Sequence, residues 1–100
     1  MVFSDLVIDL AGREVVCDGE LVELSALNFE LLTALASAPH RVFTRAQLLE
    51  RVWGWDYFGV ERVVDVHIGN LRKLLDDDAN EPRFIATVRG VGYRFIGSPE

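Results

Sequence analysis

The chain has 100 residues, half of them hydrophobic and 26 charged, which suits one small domain with its own core and excludes a disordered tail or low-complexity linker. No apolar run nears the roughly 18 residues that cross a bilayer, no basic start leads into an apolar stretch, and a lone Cys17 with two separated histidines, His40 and His67, offers neither an internal disulfide nor a metal cage. A reduced, cytoplasmic compartment is therefore expected, without membrane, metal or cofactor, and the formal charge of −6 at first argues against a polyanionic partner.

That charge is segregated. Residues 1–40 carry one Arg against seven acids, whereas residues 41–95 carry nine bases against eight acids, and Glu100 adds a last acid. The question for the second part is whether its bases converge on one face. At the N-terminal end, runs rich in Val, Leu and Ile at 6–10, 14–17 and 21–24 are separated by Ala11-Gly12 and Asp18-Gly19. Asp-Gly between short apolar runs is a strong hairpin signal, so an antiparallel meander of three or four strands is predicted, with Met1–Ser4 available at its edge. Ser25 then opens a helix that is apolar around most of its circumference, with Leu24 and Phe29 at staple positions and Pro39 beyond its end. Thr44 and Gln47 form a full capping box for a second, short helix reaching Trp53, with Phe43 and Leu48 as its staple. Residues 54–59 hold two glycines and three aromatics without a steady period, the pattern of a loop.

From Arg62 to about Leu75 the period is helical again. Val64, Ile68, Leu71 and Leu75 form one narrow apolar stripe. At 100° per residue, Arg62, Val66, Gly69, Asn70 and Lys73 fall on the opposite face, with His67 and Arg72 on its flanks, so the outer surface is cationic and nearly free of acids. Asp76-Asp77-Asp78 with Asn80 and Pro82 end the helix and read as a solvated acidic loop. A hairpin closes the chain over residues 84–96, with Arg89 near its turn and with Gly90 and Gly92 permitting a tight reversal or a close backbone approach. Three helices, the last cationic on its outer side, followed by a hairpin tipped with Arg, form a winged helix-turn-helix arrangement in an α+β domain. A helix fits the major groove of B-DNA, and an Arg-bearing hairpin can reach the adjacent minor groove.

Four blocks carry a further resemblance: Leu24-Ser25-x-Leu27-x-Phe29-Glu30-Leu31-Leu32; Arg41-Val42-Phe43-Thr44-Arg45-x-Gln47-Leu48-Leu49-Glu50-x-Val52-Trp53-Gly54; Val64-Asp65-Val66-His67-Ile68-x-x-Leu71-Arg72-Lys73; and Thr87-Val88-Arg89-Gly90-Val91-Gly92-Tyr93-Arg94-Phe95. In this order, over nearly the whole chain, they resemble the DNA-binding effector domain of OmpR/PhoB-type two-component response regulators. The resemblance implies a four-stranded antiparallel N-terminal sheet, three helices and a C-terminal hairpin, with the third helix in the major groove. It also implies double-stranded promoter DNA as partner, bound by tandem copies on direct repeats. Further partners would be a cognate receiver domain and histidine kinase, acting through the full-length protein, and RNA polymerase, touched by the loop matching Gly54 to Glu61, here with Trp55, Asp56, Tyr57 and Phe58. By the same resemblance Arg62, His67 and Arg72 match phosphate-contacting positions, Val66 and Asn70 match base-edge positions, and Thr87 and Arg89 match wing contacts; Lys73 shares the cationic face.

Two departures stand out. Many relatives carry two basic residues where this chain has Gly69-Asn70, and often Thr where it has Val63. Fewer cations weaken the sequence-independent attraction to phosphates, while Asn can pair with the N6 and N7 edge of adenine, worth about 1–3 kcal/mol of discrimination. Several residues keep two readings. His67 is a packing residue or a phosphate contact, and Trp55, Tyr57 and Phe58 pack the loop or face a partner. Asp65 is expected to pair with a nearby Arg, Arg94 with a carboxylate of the acidic sheet or else with DNA, and Trp53, Tyr93 and Phe95 to lie in the core. No nucleotide-binding loop, zinc-protease helix or nucleophile with an evident base is present, so an enzyme is not expected. The overall acidity leaves a second hypothesis, a winged-helix domain turned to protein contacts.

Overall fold

The computed structural model describes residues 1–54 and 59–100. Its first layer is the expected meander: Val2–Phe3 (β1), Leu6–Asp9 (β2), Glu14–Cys17 (β3) and Glu20–Val22 (β4) pair antiparallel in chain order. Strand alternation buries Leu6 and Ile8 from β2 and Val15 and Cys17 from β3 on one side. Asp18 and Gly19 both adopt left-handed backbone, φ 53° and 80°, as the two-residue turn of a twisted hairpin requires.

Ser25 caps the first helix, Ala26–Ala36 (α1), its Oγ accepting the Asn28 N–H at 3.1 Å. Seven of the helix's residues are buried, so it is enclosed on most sides as its sequence predicts. Phe43–Thr44 then forms a two-residue strand (β5) that the sequence reading did not separate from the helix start. Thr44 is at once the strand's last residue and the N-cap of Arg45–Leu48 (α2), with both bonds of the capping box formed. The helix continues as a wider, π-helical turn over Leu49–Trp53, closed by the Gly54 N–H on Leu49 O at 3.2 Å. Arg62–Leu74 (α3) follows, then Ile85–Val88 (β6) and Gly92–Phe95 (β7). The second sheet has the order β5-β7-β6, so the hairpin is pinned through β7 to the strand that starts α2.

The core lies between these layers. The apolar stripe of α3 is fully sequestered, with Val64, Ile68, Leu71 and Leu75 at most 1% exposed. It meets Leu31, Leu32 and Leu35 of α1, Leu48 of α2, and Phe84, Ile85 and Phe95 of the hairpin in one cluster. Phe3 and Phe95, with ring centroids 4.6 Å apart, join the N-terminal sheet to β7. The last residues return to the edge of β1, where Ser4 N–H donates to Ser98 O at 2.8 Å. Tyr93 and Phe95 are buried as expected, and Trp53 is half-buried.

The acidic run after α3 corrects one expectation. Asp76 and Asp78 are solvated, but Asp77 is buried. Its carboxylate accepts the backbone N–H groups of Arg83 (2.6 Å), Phe84 (3.3 Å) and Ile85 (3.0 Å), all at the entrance to β6. Buried N–H groups without a ladder partner need an acceptor, and Asp77 supplies it. Arg83 in turn donates to the carbonyls of Leu75 and Asp76 at the C-terminal end of α3, 3.1 and 3.2 Å, and forms a two-point ion pair with Asp18, 2.8 and 3.1 Å. That hydrogen-bonded pairing holds the Asp18 carboxyl below its usual range. Nearby, burial and then the Asp18 charge push the Cys17 thiol up to about 11, leaving it a packing residue.

Of the two glycines in the hairpin, Gly90 makes the reversal, with φ 74° and the Val91 N–H on Val88 O at 2.9 Å. Gly92 makes the close approach: a Cβ placed there would lie 1.9 Å from Phe43 O across the β5–β7 pair. Gly92→Ala is expected to cost ~3 kcal/mol or more by overpacking and to lower the Tm by more than about 10 °C in a domain of this size; a melt within about 2 °C of the parent would show that β5 can move aside.

Candidate nucleic-acid interface

The outer side of α3 carries the face drawn from its sequence. Arg62, Val66, Gly69, Asn70 and Lys73 are all exposed, and Val66, at 56%, is an aliphatic side chain held in water amid cations. Such a residue suits contact with a thymine methyl group. The helix is strongly two-sided because the same heptad that buries Ile68 and Leu71 leaves these positions outward.

Two side chains from the flank of α3 attach it to the rest of the reader. Asp65 accepts from Arg45 Nε of α2 at 2.7 Å and from the Tyr93 hydroxyl of β7, both at Oδ1. The expectation that Asp65 pairs with a nearby Arg is met. Burial pushes this carboxyl up, but the hydrogen bonds from Tyr93 and Arg45 outweigh it and hold Asp65 below the usual carboxylate range. Burial, and then the hydrogen bond to Asp65, raise Tyr93 above its ordinary value of 10.0. Two helical turns further, Arg72 Nη2 donates to Ile85 O (2.7 Å) and Thr87 Oγ1 (2.9 Å), both on β6.

His67 is half-buried, its Nδ1 paired with Asn28 Oδ1 at 3.2 Å and its ring edge-on to Trp53 with centroids 5.4 Å apart. The packing role is the one these contacts describe. Asn28 carries no signal of this role in the sequence; its position at the third residue of α1 lets the side chain reach His67. On the wing, Thr87 and Arg89 are exposed, and the Gly90 turn puts Arg89 at the corner of the hairpin. Arg94, expected to pair with the acidic sheet, is exposed and has no ion pair among the described residues. One carboxylate of the sheet, Asp18, is taken by Arg83. Trp55, Asp56, Tyr57 and Phe58, assigned to a partner surface, lie outside the described residues.

No group of three or more metal-ligating side chains occurs among the described residues, and no described helix is long and apolar enough to cross a membrane. A capped helix pair, a third helix with an acid-free outer face, and a hairpin bonded to that helix with Arg at its tip together define a winged-helix domain. The sequence model for "Transcriptional regulatory protein, C terminal" matches residues 19–95. The response regulator MtrA of Mycobacterium tuberculosis is 44% identical over 91 residues, 91% of this chain and 40% of that protein, and the transcriptional regulatory protein TrcR of the same organism is 47% identical over 90 residues, 90% and 34% respectively. Among solved structures, the RstA DNA-binding domain of Klebsiella pneumoniae, in complex with the RstA box, superposes with a TM-score of 0.88 at 43% identity, covering 96% of this chain and 95% of that one. The Thermotoga maritima regulator DrrB, an OmpR/PhoB homologue, gives 0.88 at 42% identity, covering 97% and 44%. The chain belongs to the OmpR/PhoB-type family of C-terminal effector domains of transcriptional regulatory proteins. It spans about 40% of the length of the MtrA proteins it matches.

The Asp65 node has a pH signature. Because the folded-state pKa of Asp65 lies below its ordinary 3.8, the node stabilises the domain above that pH and loses its contribution as pH falls through the folded value. Asp65→Asn is therefore expected to melt below the parent at pH 7 and to approach it at a pH below 3.8, as the parent's carboxyl protonates through its lowered folded-state pKa. Melting curves at the two pH values check this, and a gap of constant size would refute it.

Proposed function

We propose that this chain binds double-stranded promoter DNA sequence-specifically and regulates transcription as the effector domain of a two-component response regulator, α3 lying in the major groove and the hairpin of residues 84–96 in the minor groove. The observation that carries this reading is the exposed, acid-free face of Arg62, Val66, Asn70 and Lys73 on a helix directly bonded to the wing that bears Thr87 and Arg89. Arg62, Lys73 and Arg89 supply the attraction to phosphates, Val66 and Asn70 read base edges, and His67, braced by Asn28 and Trp53, lies at the rim toward the backbone. The complex of RstA with its box supports DNA as the ligand of the family's fold. In the full-length protein a receiver domain and its histidine kinase control the domain, copies bind direct repeats side by side, and the segment from Gly54 to Glu61 faces RNA polymerase.

The net charge of −6 and the uncharged pair Gly69-Asn70 favour one rival, a winged helix used for protein contacts. Salt separates them: fluorescence anisotropy with duplexes selected from a random pool should show affinity falling steeply between about 50 and 200 mM salt, with a log-log slope set by the phosphates engaged. No duplex binding at the lower salt would favour the rival. Within a binding duplex, Asn70→Ala is expected to relax preference at one base pair by about 1–3 kcal/mol, while Arg62→Ala weakens all sequences alike and lowers the salt slope by about 1. Equal losses across all duplexes for both variants would remove Asn70 from base readout.

A further inference from the structure

Two points of attachment hold the wing against α3, and they are seven residues apart. Asp65 receives the Tyr93 hydroxyl of β7, and Arg72 donates from Nη2 to Ile85 O and Thr87 Oγ1 of β6 at 2.7 and 2.9 Å. Seven residues are two turns of helix, so both side chains leave the same side of α3, about 10.5 Å apart along its axis. The β5–β7 pairing anchors the base of the wing, and the two bonds to α3 fix its angle to that helix. Arg72 also lies over the Tyr93 ring, 5.7 Å from its centroid, so its guanidinium engages both strands of the hairpin. Thr87 is two residues from Arg89 along β6, and the turn that carries Arg89 follows directly. Of the cations on α3, Arg72 is the one that hydrogen-bonds to the wing, through Nη2 to both acceptors, while its buried Nε is left without a partner.

We infer that Arg72 is a positioning residue: it sets the separation and angle between the major-groove helix and the minor-groove wing, and contributes to DNA affinity through Arg89 instead of through a phosphate of its own. This rests on the DNA-binding reading above. A phosphate contact needs chiefly a positive charge, which Lys preserves; a strut needs the planar, directional guanidinium, which Lys lacks. The two roles therefore predict different behaviour for the same substitution.

The test compares Arg72→Lys, Arg72→Ala, Arg89→Ala and the Arg72→Lys/Arg89→Ala double variant for binding to the tightest duplex selected from a random pool. A strut predicts that Arg72→Lys weakens binding about tenfold, much as Arg72→Ala does, and that with Arg89→Ala already present the further loss is under about twofold, because coupled sites are not additive. Arg72→Lys binding like the parent, or losses that multiply in full, would overturn the inference. A measurement without DNA runs beside it. Amide hydrogen exchange over Ile85–Val88 and at Val91 should quicken in Arg72→Lys while α1 keeps the parent's protection; unchanged wing exchange would equally overturn it. Should Arg72→Ala fail to fold, Thr87→Val removes one acceptor and leaves Arg72 in place, and a smaller quickening of the same wing amides is expected. If the parent bound no duplex, the DNA-binding reading would fall and the exchange result would still decide whether Arg72 holds the wing.

Discussion

One carboxylate joins the three parts of the reading apparatus. Asp65 stands on α3, takes its hydrogen bonds from Arg45 on α2 and Tyr93 on β7, and so fixes the recognition helix to both the helix before it and the hairpin after it. Such a group must stay ionised to accept from a guanidinium and a phenol at one oxygen, and its two donors are what keep it so against partial burial. Arg45 is itself placed by the capping box one residue earlier, and Tyr93 by the neighbouring Gly92, whose lack of a side chain lets β7 lie close to β5. The apolar stripe of α3 supplies the force that brings these layers together. The polar node determines at what angle they meet.

The parts of the fold that were legible in the sequence are those whose signal is local. The Asp18-Gly19 reversal, the Thr44/Gln47 capping box and the two faces of α3 depend on residues a few positions apart, and each forms as its pattern predicts. What escaped was non-local. Phe43-Thr44 pairs as a strand only because β7 arrives from fifty residues further along, and a two-residue strand has no period of its own. Asp77 sits in an acidic run that reads as solvated, and only the arrival of three backbone N–H groups from the start of the wing explains its burial. Asn28 and Arg72 belong to the same class, since their partners lie 39 residues away for the first and 13 and 15 for the second. At the interface the outward positions of α3 were readable by helical geometry, whereas the split between residues that touch a ligand and residues that brace the surface was not.

The charge distribution also gains a physical meaning. Seven acids lie in the first 40 residues, most of them on the exposed edges and turns of the N-terminal sheet, while the outer face of α3 carries none. A molecule with a negative end and a positive ridge has a direction in an electric field, so approach to a polyanion orients it before contact. Arg83 bridges the two regions, pairing with Asp18 of the sheet while closing the end of α3.

Gly69 sits in the middle of α3, yet a side chain added there would meet nothing within 4 Å. A glycine inside a helix costs about 1 kcal/mol relative to alanine, so neither helix formation nor core assembly asks for it. The scaffold is thus indifferent to the occupant of this site. Novel target preferences can be tried at position 69 by exchange of a single residue, with the architecture beneath left intact, which makes it a natural place for related regulators to diverge.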